Sequence, residues 1–350
     1  MATEVEVVRE GHYAEKAVFV DGLDGCGKTM LSPIVAALDR VEKLTYSYEI
    51  EHICTLHYLG RIKDDAAVAL IRLLTDLKLY DQMMSREVNF RPSDLSSAFK
   101  DIDVLRYVRR LFKKGDSLIP ARIRAERPIL HITSHKILSM SAPVFSGLGG
   151  RAVFVEMVRH PLYMIKQVKL NMDSLINDPR DFIIYHKHGQ RSVPYYAQGW
   201  EDLFLSSNSV EKAIYSIKYL TEATEKAKRT FLADRAGQIV MIPFELFVLD
   251  PDPYMEKIAA ALGSAVTKNT RKMMKKQNVP RTKIAEGIGL QIYKRCGWEP
   301  PKAGATEKDE LEIRRSYAVE HGASKEAILV LDGLSDQYES NYLGRERSGI

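Results

Sequence analysis

Residues 22–29 read Gly-Leu-Asp-Gly-Cys-Gly-Lys-Thr and fit G-x-x-x-x-G-K-[ST] at every required position. The pattern has a physical meaning. Glycines let backbone N–H groups turn inward around a phosphate, a following helix adds its partial positive charge, and a lysine adds a full one. Gly25, Cys26, Gly27, Lys28 and Thr29 are therefore candidate phosphate ligands. The pattern also needs a strand before it and a helix after it. Residues 16–21 (Lys-Ala-Val-Phe-Val-Asp) supply a short buried-type strand, and 30–40 carry helical spacing.

The elements that must position this loop follow along the chain. Residues 44–51 read as a second strand, so strand, helix and strand open a βαβ unit and a mostly parallel sheet. Apolar spacing predicts helices over 66–84 and 103–113, part of a helical insertion over 60–125. Strands resume at 128–133 and 151–158, and a long helix is expected over 210–233. A last strand at 237–243 precedes a helix over 254–262 that Gly263 should end. Residues 301–350 read as a helical tail packed on the rest. The expectation is one three-layer α/β/α P-loop domain over 1–350, a mostly parallel central sheet with helical insertions.

Composition narrows the classes. The 350 residues are 45% hydrophobic and 28% charged, which is globular and excludes disordered and disulfide-scaffold chains. The net charge of +5 suits an anionic ligand and is too small to point to nucleic acid. Cys26, Cys54 and Cys296 are too few and too far apart for a disulfide framework or a zinc site. With no signal peptide and no apolar run near 20 residues, a cytoplasmic protein without membrane partners is expected.

The loop string resembles that of thymidylate-type nucleotide kinases. A kinase would use ATP and Mg²⁺, with a carboxylate at a neighbouring strand end to organise the metal. Strand 151–158 has Glu156 inside it and ends at Arg159, strand 237–243 ends without an acid, and Asp332 lies in the helical tail.

The later motifs resemble another P-loop family, the sulfotransferases that use 3′-phosphoadenosine 5′-phosphosulfate (PAPS). The string Ala-Val-Phe-Val-Glu-Met-Val-Arg159-His-Pro is similar to that family's strand and Arg-x-Pro turn. Ile-Leu-His-Ile-Thr-Ser-His135 is similar to its Thr-His segment, although Ser134 separates Thr133 from the histidine. Residues 242–251 with 254–263 resemble its Glu, Asp-Pro and Leu-Gly signature, and 332–344 its C-terminal helix. The order agrees across roughly residues 16–350. The loop itself departs from the family, being kinase-like rather than Ser/Thr-rich.

The resemblance implies roles. Lys28 would neutralise the leaving 5′-phosphate, Arg159 would grip the 3′-phosphate as a planar fork, and Gln167 stands where the family has a serine. Residues 268–295 hold nine Lys or Arg against one acid, so Arg271 and Lys272, with Arg281 and Lys283, are candidates to close over the donor. His135 is the first choice for a general base, with Glu49 and Glu51 as the second. The donor would be PAPS, leaving adenosine 3′,5′-bisphosphate, and the acceptor a hydroxyl or amine of a small molecule or glycan; a homodimer is possible. An ATP-dependent kinase and a non-catalytic nucleotide binder stay open beside this reading.

Overall fold

The computed structural model describes residues 5–289, 291–295 and 297–344. Cys296 and the last six residues of the expected tail, 345–350, lie outside the described residues. Seven strands and fifteen α-helices follow one another in these. The sheet strands are β1 (Ala17–Asp21), β2 (Thr45–Tyr46), β3 (Leu130–Thr133), β4 (Ala152–Val158) and β7 (Ile239–Pro243), while β5 (Tyr185–His188) and β6 (Arg191–Pro194) form a separate antiparallel hairpin. Helix α1 (Lys28–Ala36) leaves the loop after β1. Helices α2 (Tyr48–Tyr58), α3 (Asp64–Met84), α4 (Val104–Leu111) and α5 (Ile119–Glu126) lie between β2 and β3, and α6 (Ala142–Leu148) follows β3. Helices α7 (Pro161–Ser174), α8 (Glu201–Ser206) and α9 (Ser209–Arg229) lie between β4 and β7. Then come α10 (Phe244–Leu249), α11 (Asp252–Leu262), α12 (Lys268–Lys276), α13 (Gln291–Arg295), α14 (Glu307–Glu320) and α15 (Lys325–Tyr338).

The five-stranded sheet has the order β2-β3-β1-β4-β7, and every pair is parallel. Helices cover both faces, as a parallel sheet requires. Alternation along β1 shows how. Val18 and Val20 belong to a core shared with α1, α7, α9, α11 and α15, while Ala17 and Phe19 belong to a second core with α2, α3 and α6. In that second layer Phe19 stacks on Phe154 of β4 at 4.9 Å between ring centroids. The fold is thus the expected three-layer α/β/α arrangement. Helix α11 closes on Gly263 in the left-handed region (φ 60°), as its sequence predicts.

One expectation is corrected. Residues 44–51 form a strand only at Thr45 and Tyr46; Ser47 then turns the chain into α2. Glu49 and Glu51 sit in the first helical turn, where carboxylates favour the positive end of the dipole, and Ile50, Ile53 and Cys54 recur at helical spacing on a buried face. The tail helices α14 and α15 pack against α7, and α15 also against α9. Asp332, in α15, forms a bidentate ion pair with Arg315 on α14, at 2.7 and 2.8 Å.

The centre of the sheet buries two acids side by side: Asp21 and Glu156 are paired across β1 and β4. Asp21 accepts from the Ser134 hydroxyl at 3.0 Å and the Leu138 N–H at 2.8 Å. Glu156 has one oxygen buried without a hydrogen-bond partner, and burial, with the Asp21 charge, pushes its carboxyl well above the usual range. The folded protein therefore binds a proton that the unfolded chain releases above about pH 4.5. Unfolding stability should fall as pH rises above that value, by about 1.4 kcal/mol per pH unit until the folded group itself ionises. Glu156→Gln should remove this component. Denaturant titrations of both proteins from pH 5 to 8 check it, and parallel pH profiles would contradict the assignment.

Candidate functional site

The loop between β1 and α1 forms one wall of a cavity of about 530 Å³, which Gly25, Gly27, Lys28 and Thr29 line. Local sequence explains the shape. Gly27 precedes α1 at φ 109°, and a Cβ there would lie 2.5 Å from the Phe244 ring. Only glycine satisfies both the backbone angle and the close approach. The N–H groups of Lys28 and Thr29, at the first helical positions, have no intrahelical acceptor. The N–H of Cys26 differs: it donates to the Leu23 carbonyl at 3.2 Å, so it closes the turn on itself. The Cys26 side chain is buried away from this cavity, and burial pushes its thiol up to about 11. Lys28 is itself only 8% exposed, and its ammonium donates to the carbonyls of Gly22 and Leu23. Burial works against its charge, but the acids around it, including Asp24 and Asp21, hold its pKa above the ordinary lysine value.

A cluster of guanidinium groups forms a second wall. Arg159 follows the end of β4, and its Nη1 donates to the carbonyl of Gly25 at 2.9 Å. The far strand's arginine thus reaches back to the loop. Its guanidinium lies over the Phe244 ring at 4.0 Å and over Tyr163 at 4.8 Å. Its Nε is buried and has no hydrogen-bond partner. Arg281 lies over the same Phe244 ring at 5.4 Å, and Arg314 over Tyr163 at 4.3 Å. Burial and then the Arg159 charge pull Arg281 down to about 10, and burial lowers Arg159 as well. Crowded, desolvated cations with an unspent N–H are the groundwork of an anion site. Gln167, from α7, lines the cavity between this wall and the loop, with its Oε1 beside Gly25.

His135 stands on the other side of the loop, just past β3. Its Nδ1 lies 3.0 Å from Glu51 Oε1. Facing a carboxylate, that nitrogen donates, which leaves Nε2 as the basic one. The imidazole stacks on Tyr46 at 5.7 Å and Tyr48 at 5.9 Å, which fixes its plane. Beyond it, Tyr48 and Phe182 make a tilted pair 5.6 Å apart at the cavity wall, 40% and 58% exposed. The His52 ring nitrogen holds the Phe182 carbonyl at 2.7 Å.

Lys28, Thr29, Gly25, Gly27, Arg159, Gln167, Glu51 and His135 therefore meet around one cavity. Five sequence expectations do not line it: Cys26, Glu49, Arg271, Lys272 and Lys283. Glu49 turns toward α3, where its carboxylate takes the Ser47 hydroxyl at 2.9 Å and lies 3.5 Å from Lys78. Being on a helix, it points away from Glu51. Arg271 pairs with Asp252 on an exposed face, and Lys272 beside it is exposed; neither lines the cavity. The reason is that α12 packs through Met273, Met274 and Thr270, with Thr270 bonded to the Ala37 carbonyl just past the far end of α1. Of the basic run, Arg281 reaches the cavity. Sequence reasoning missed Phe244, Tyr163 and Arg314. Their signal was faint, an aromatic after the last strand's proline and another four residues after Arg159.

The cavity's carboxylates are already engaged. Asp24 pairs with Lys136 at 2.7 Å, Glu299 with Lys166 at 2.7 Å and Glu310 with Arg314 at 2.7 Å. Glu51 holds His135, Asp181 takes the Tyr185 hydroxyl, and Glu286 takes the Thr282 hydroxyl at 2.8 Å. Beside α1, Ser32 bonds Thr133 at 2.9 Å, so β3 ends in hydroxyls where a kinase would place a metal-organising acid.

No protein family matches this sequence, and no characterised protein is similar to it at the sequence level. Solved structures show a remote likeness to it. Sulfotransferase STF9 from Mycobacterium avium is 12% identical, with 97% of this chain and 79% of that one covered and a TM-score of 0.42. The sulfotransferase domain of the curacin biosynthetic pathway is 10% identical, covers 87% and 97%, and has a TM-score of 0.43. The sulfotransferase domain of the Synechococcus PCC 7002 olefin synthase is 14% identical, covers 90% and 98%, and has a TM-score of 0.40. Likeness this remote does not reach individual site residues.

The placement of the cations gives a direct test. Arg281→Ala should weaken adenosine 3′,5′-bisphosphate binding about tenfold or more, the weight of one charge-assisted contact. Arg271→Ala and Lys272→Ala should leave it unchanged. Calorimetric titration of the three variants decides, and equal losses in all of them would contradict the geometry.

Proposed function

We propose that this protein is a PAPS-dependent sulfotransferase, acting on a hydroxyl acceptor through a His135–Glu51 pair. The observation that carries the reading is the Arg159 guanidinium, anchored on the Gly25 carbonyl with a buried, unspent Nε. It stands across the loop from a carboxylate-oriented histidine. The residues fit a doubly phosphorylated adenosine. The N–H groups at the start of α1 and Lys28 would hold the 5′-phosphate. Arg159, Arg281 and Gln167 would hold the 3′-phosphate. Bound there, PAPS would supply an activated sulfuryl group on a phosphate leaving group.

The chain's own residues do the rest. Glu51 accepts a hydrogen bond from the Nδ1–H of His135 and so keeps Nε2 free to take a proton from the acceptor hydroxyl. Tyr46 and Tyr48 hold the ring plane. Lys28 provides a fixed positive charge for negative charge that grows on the leaving phosphate. Among the described residues on the acceptor side, Asp24 pairs with Lys136 and Arg180 with Asp178, while the Glu51 and Asp181 carboxylates accept hydrogen bonds from His135 and Tyr185 and keep that wall negative. With Tyr48 and Phe182 exposed there, an uncharged acceptor with a flat apolar face fits better than a polyanionic glycan. Among the described residues no helix is long and apolar enough to cross a membrane, and Cys26 and Cys54 are free thiols. We place the protein in the cytoplasm.

A kinase is the second reading, favoured by the loop pattern itself. Titration with adenosine 3′,5′-bisphosphate and with ATP, each with and without Mg²⁺, separates the two. Metal-independent bisphosphate binding is expected, and binding of Mg-ATP alone would overturn the proposal. In sulfuryl-transfer assays, His135→Ala should lower kcat about 10²- to 10⁴-fold, the usual weight of a general base. Glu51→Gln should lower it less. A His135→Ala enzyme of undiminished kcat would remove the histidine from the chemistry.

A further inference from the structure

The turn that carries Arg159 is not held by its own strand alone. The His160 N–H, one residue on, donates to Glu245 Oε1 at 3.1 Å. Glu245 sits in the first turn of α10 and is buried. Its other oxygen, Oε2, accepts the hydroxyl of Tyr338, the last residue of α15 and itself buried. The His160 ring packs edge-on against Tyr338 at 5.6 Å and against Tyr163 at 6.5 Å, and its Nε2 lies 3.5 Å from Glu339. His160 also caps α7, its Nδ1 accepting the Leu162 N–H at 3.3 Å. Four segments distant in sequence thus meet behind one guanidinium: the end of β4, the start of α7, the start of α10 and the end of α15.

We propose that Glu245 and Tyr338 form a latch that positions Arg159 for the 3′-phosphate, which makes the C-terminal helix part of donor selection. This rests on the donor reading above. Neither residue lines the donor cavity, so both act through the Arg159–His160 turn. The physical argument is one of preorganisation. A buried arginine has a long side chain with costly rotamer freedom, and its grip on a phosphate depends on a fork held in place beforehand. Tyr163 and Phe244 fix the guanidinium plane, and the Gly25 carbonyl fixes one nitrogen. The Glu245 carboxylate fixes the backbone from which the side chain springs. The Tyr338 hydroxyl orients that carboxylate by occupying its second oxygen. The latch faces only the 3′-phosphate end; the 5′-phosphate cradle, at the start of α1, is built from its own backbone.

The prediction concerns selectivity rather than binding alone. Tyr338→Phe keeps the buried ring and removes only the hydroxyl. Its affinity for adenosine 3′,5′-bisphosphate should fall about tenfold, the weight of one hydrogen bond to a charged group. Its affinity for adenosine 5′-monophosphate, which lacks the 3′-phosphate, should not change. Calorimetric titration of both nucleotides against wild type and variant gives the ratio, and thermal unfolding checks that the variant is folded. If it is not, Glu245→Gln is titrated in the same way, and the ratio should again fall. A ratio unchanged, or equal losses for both nucleotides, overturns the latch and leaves these residues a merely structural role. A wild-type protein with no preference for the bisphosphate overturns the donor reading itself, and the latch with it.

Discussion

The hydrogen bond from Arg159 to the carbonyl of Gly25 joins the two halves of the site. It ties the turn after β4 to the glycine-rich loop after β1, and it holds a buried positive charge against a loop whose own amides are partly positive. Such a charge is expensive. The Phe244 and Tyr163 rings offset part of the cost through their negative faces, and Glu245 offsets more through its field. Neither supplies a direct carboxylate contact to the guanidinium. The site is thus built with a deficit of negative charge at its centre, and a phosphorylated ligand is the natural complement.

Sheet order then decides which groups meet. Because β1 lies between β3 and β4, the loop that leaves it is flanked by the ends of both neighbours. Thr133 of β3 lies level with Val20, and Glu156 of β4 level with Asp21. His135 therefore emerges on one flank of the loop and Arg159 on the other. The right-handed crossovers usual in a parallel sheet suit this arrangement, and the loop itself is shaped by Gly22, Gly25 and Gly27, all at positive φ. Of the acids buried at the same level, Asp21 is held by hydrogen bonds, and Glu156 is pushed by burial toward its protonated form.

Much of this was legible in the sequence for identifiable reasons. The strand, loop and helix around Gly27 announce themselves because a backbone angle and a close approach both constrain residue type. The parallel strands were readable as short apolar runs, and α11 as a periodic segment with a glycine after it. Residues 44–51 misled because alternation over a few residues resembles a strand, while the first turn of α2 carries its helical signal only in Glu49, Glu51 and the later Ile53 and Cys54. The basic run 268–295 misled for another reason. Charge density says nothing about direction, and α12 aims its cations at solvent because its methionines are needed in the core. The ring sandwich around Arg159 was invisible, since it joins residues 159, 163, 244 and 281 through tertiary packing alone.

The distribution of charge separates the two halves of the cavity and bears on the chemistry. On the arginine side, Arg159 and Arg281 have no carboxylate hydrogen bond among the described contacts, and Lys28 spends its protons on carbonyls. On the histidine side, Asp24 is paired with Lys136, and Glu51 and Asp181 are held by hydrogen bonds from His135 and Tyr185. A reaction that accumulates charge on a leaving phosphate is served by such fixed cations, whereas one that must bring a divalent metal to a γ-phosphate needs a carboxylate left unspent. Each carboxylate lining this cavity already holds a histidine, an arginine, a lysine or a hydroxyl, an arrangement that suits the first reaction better. In the proposed reading, acceptor recognition falls to the faces of Tyr48 and Phe182 and to the His135 nitrogen on the far side of the ring from Glu51.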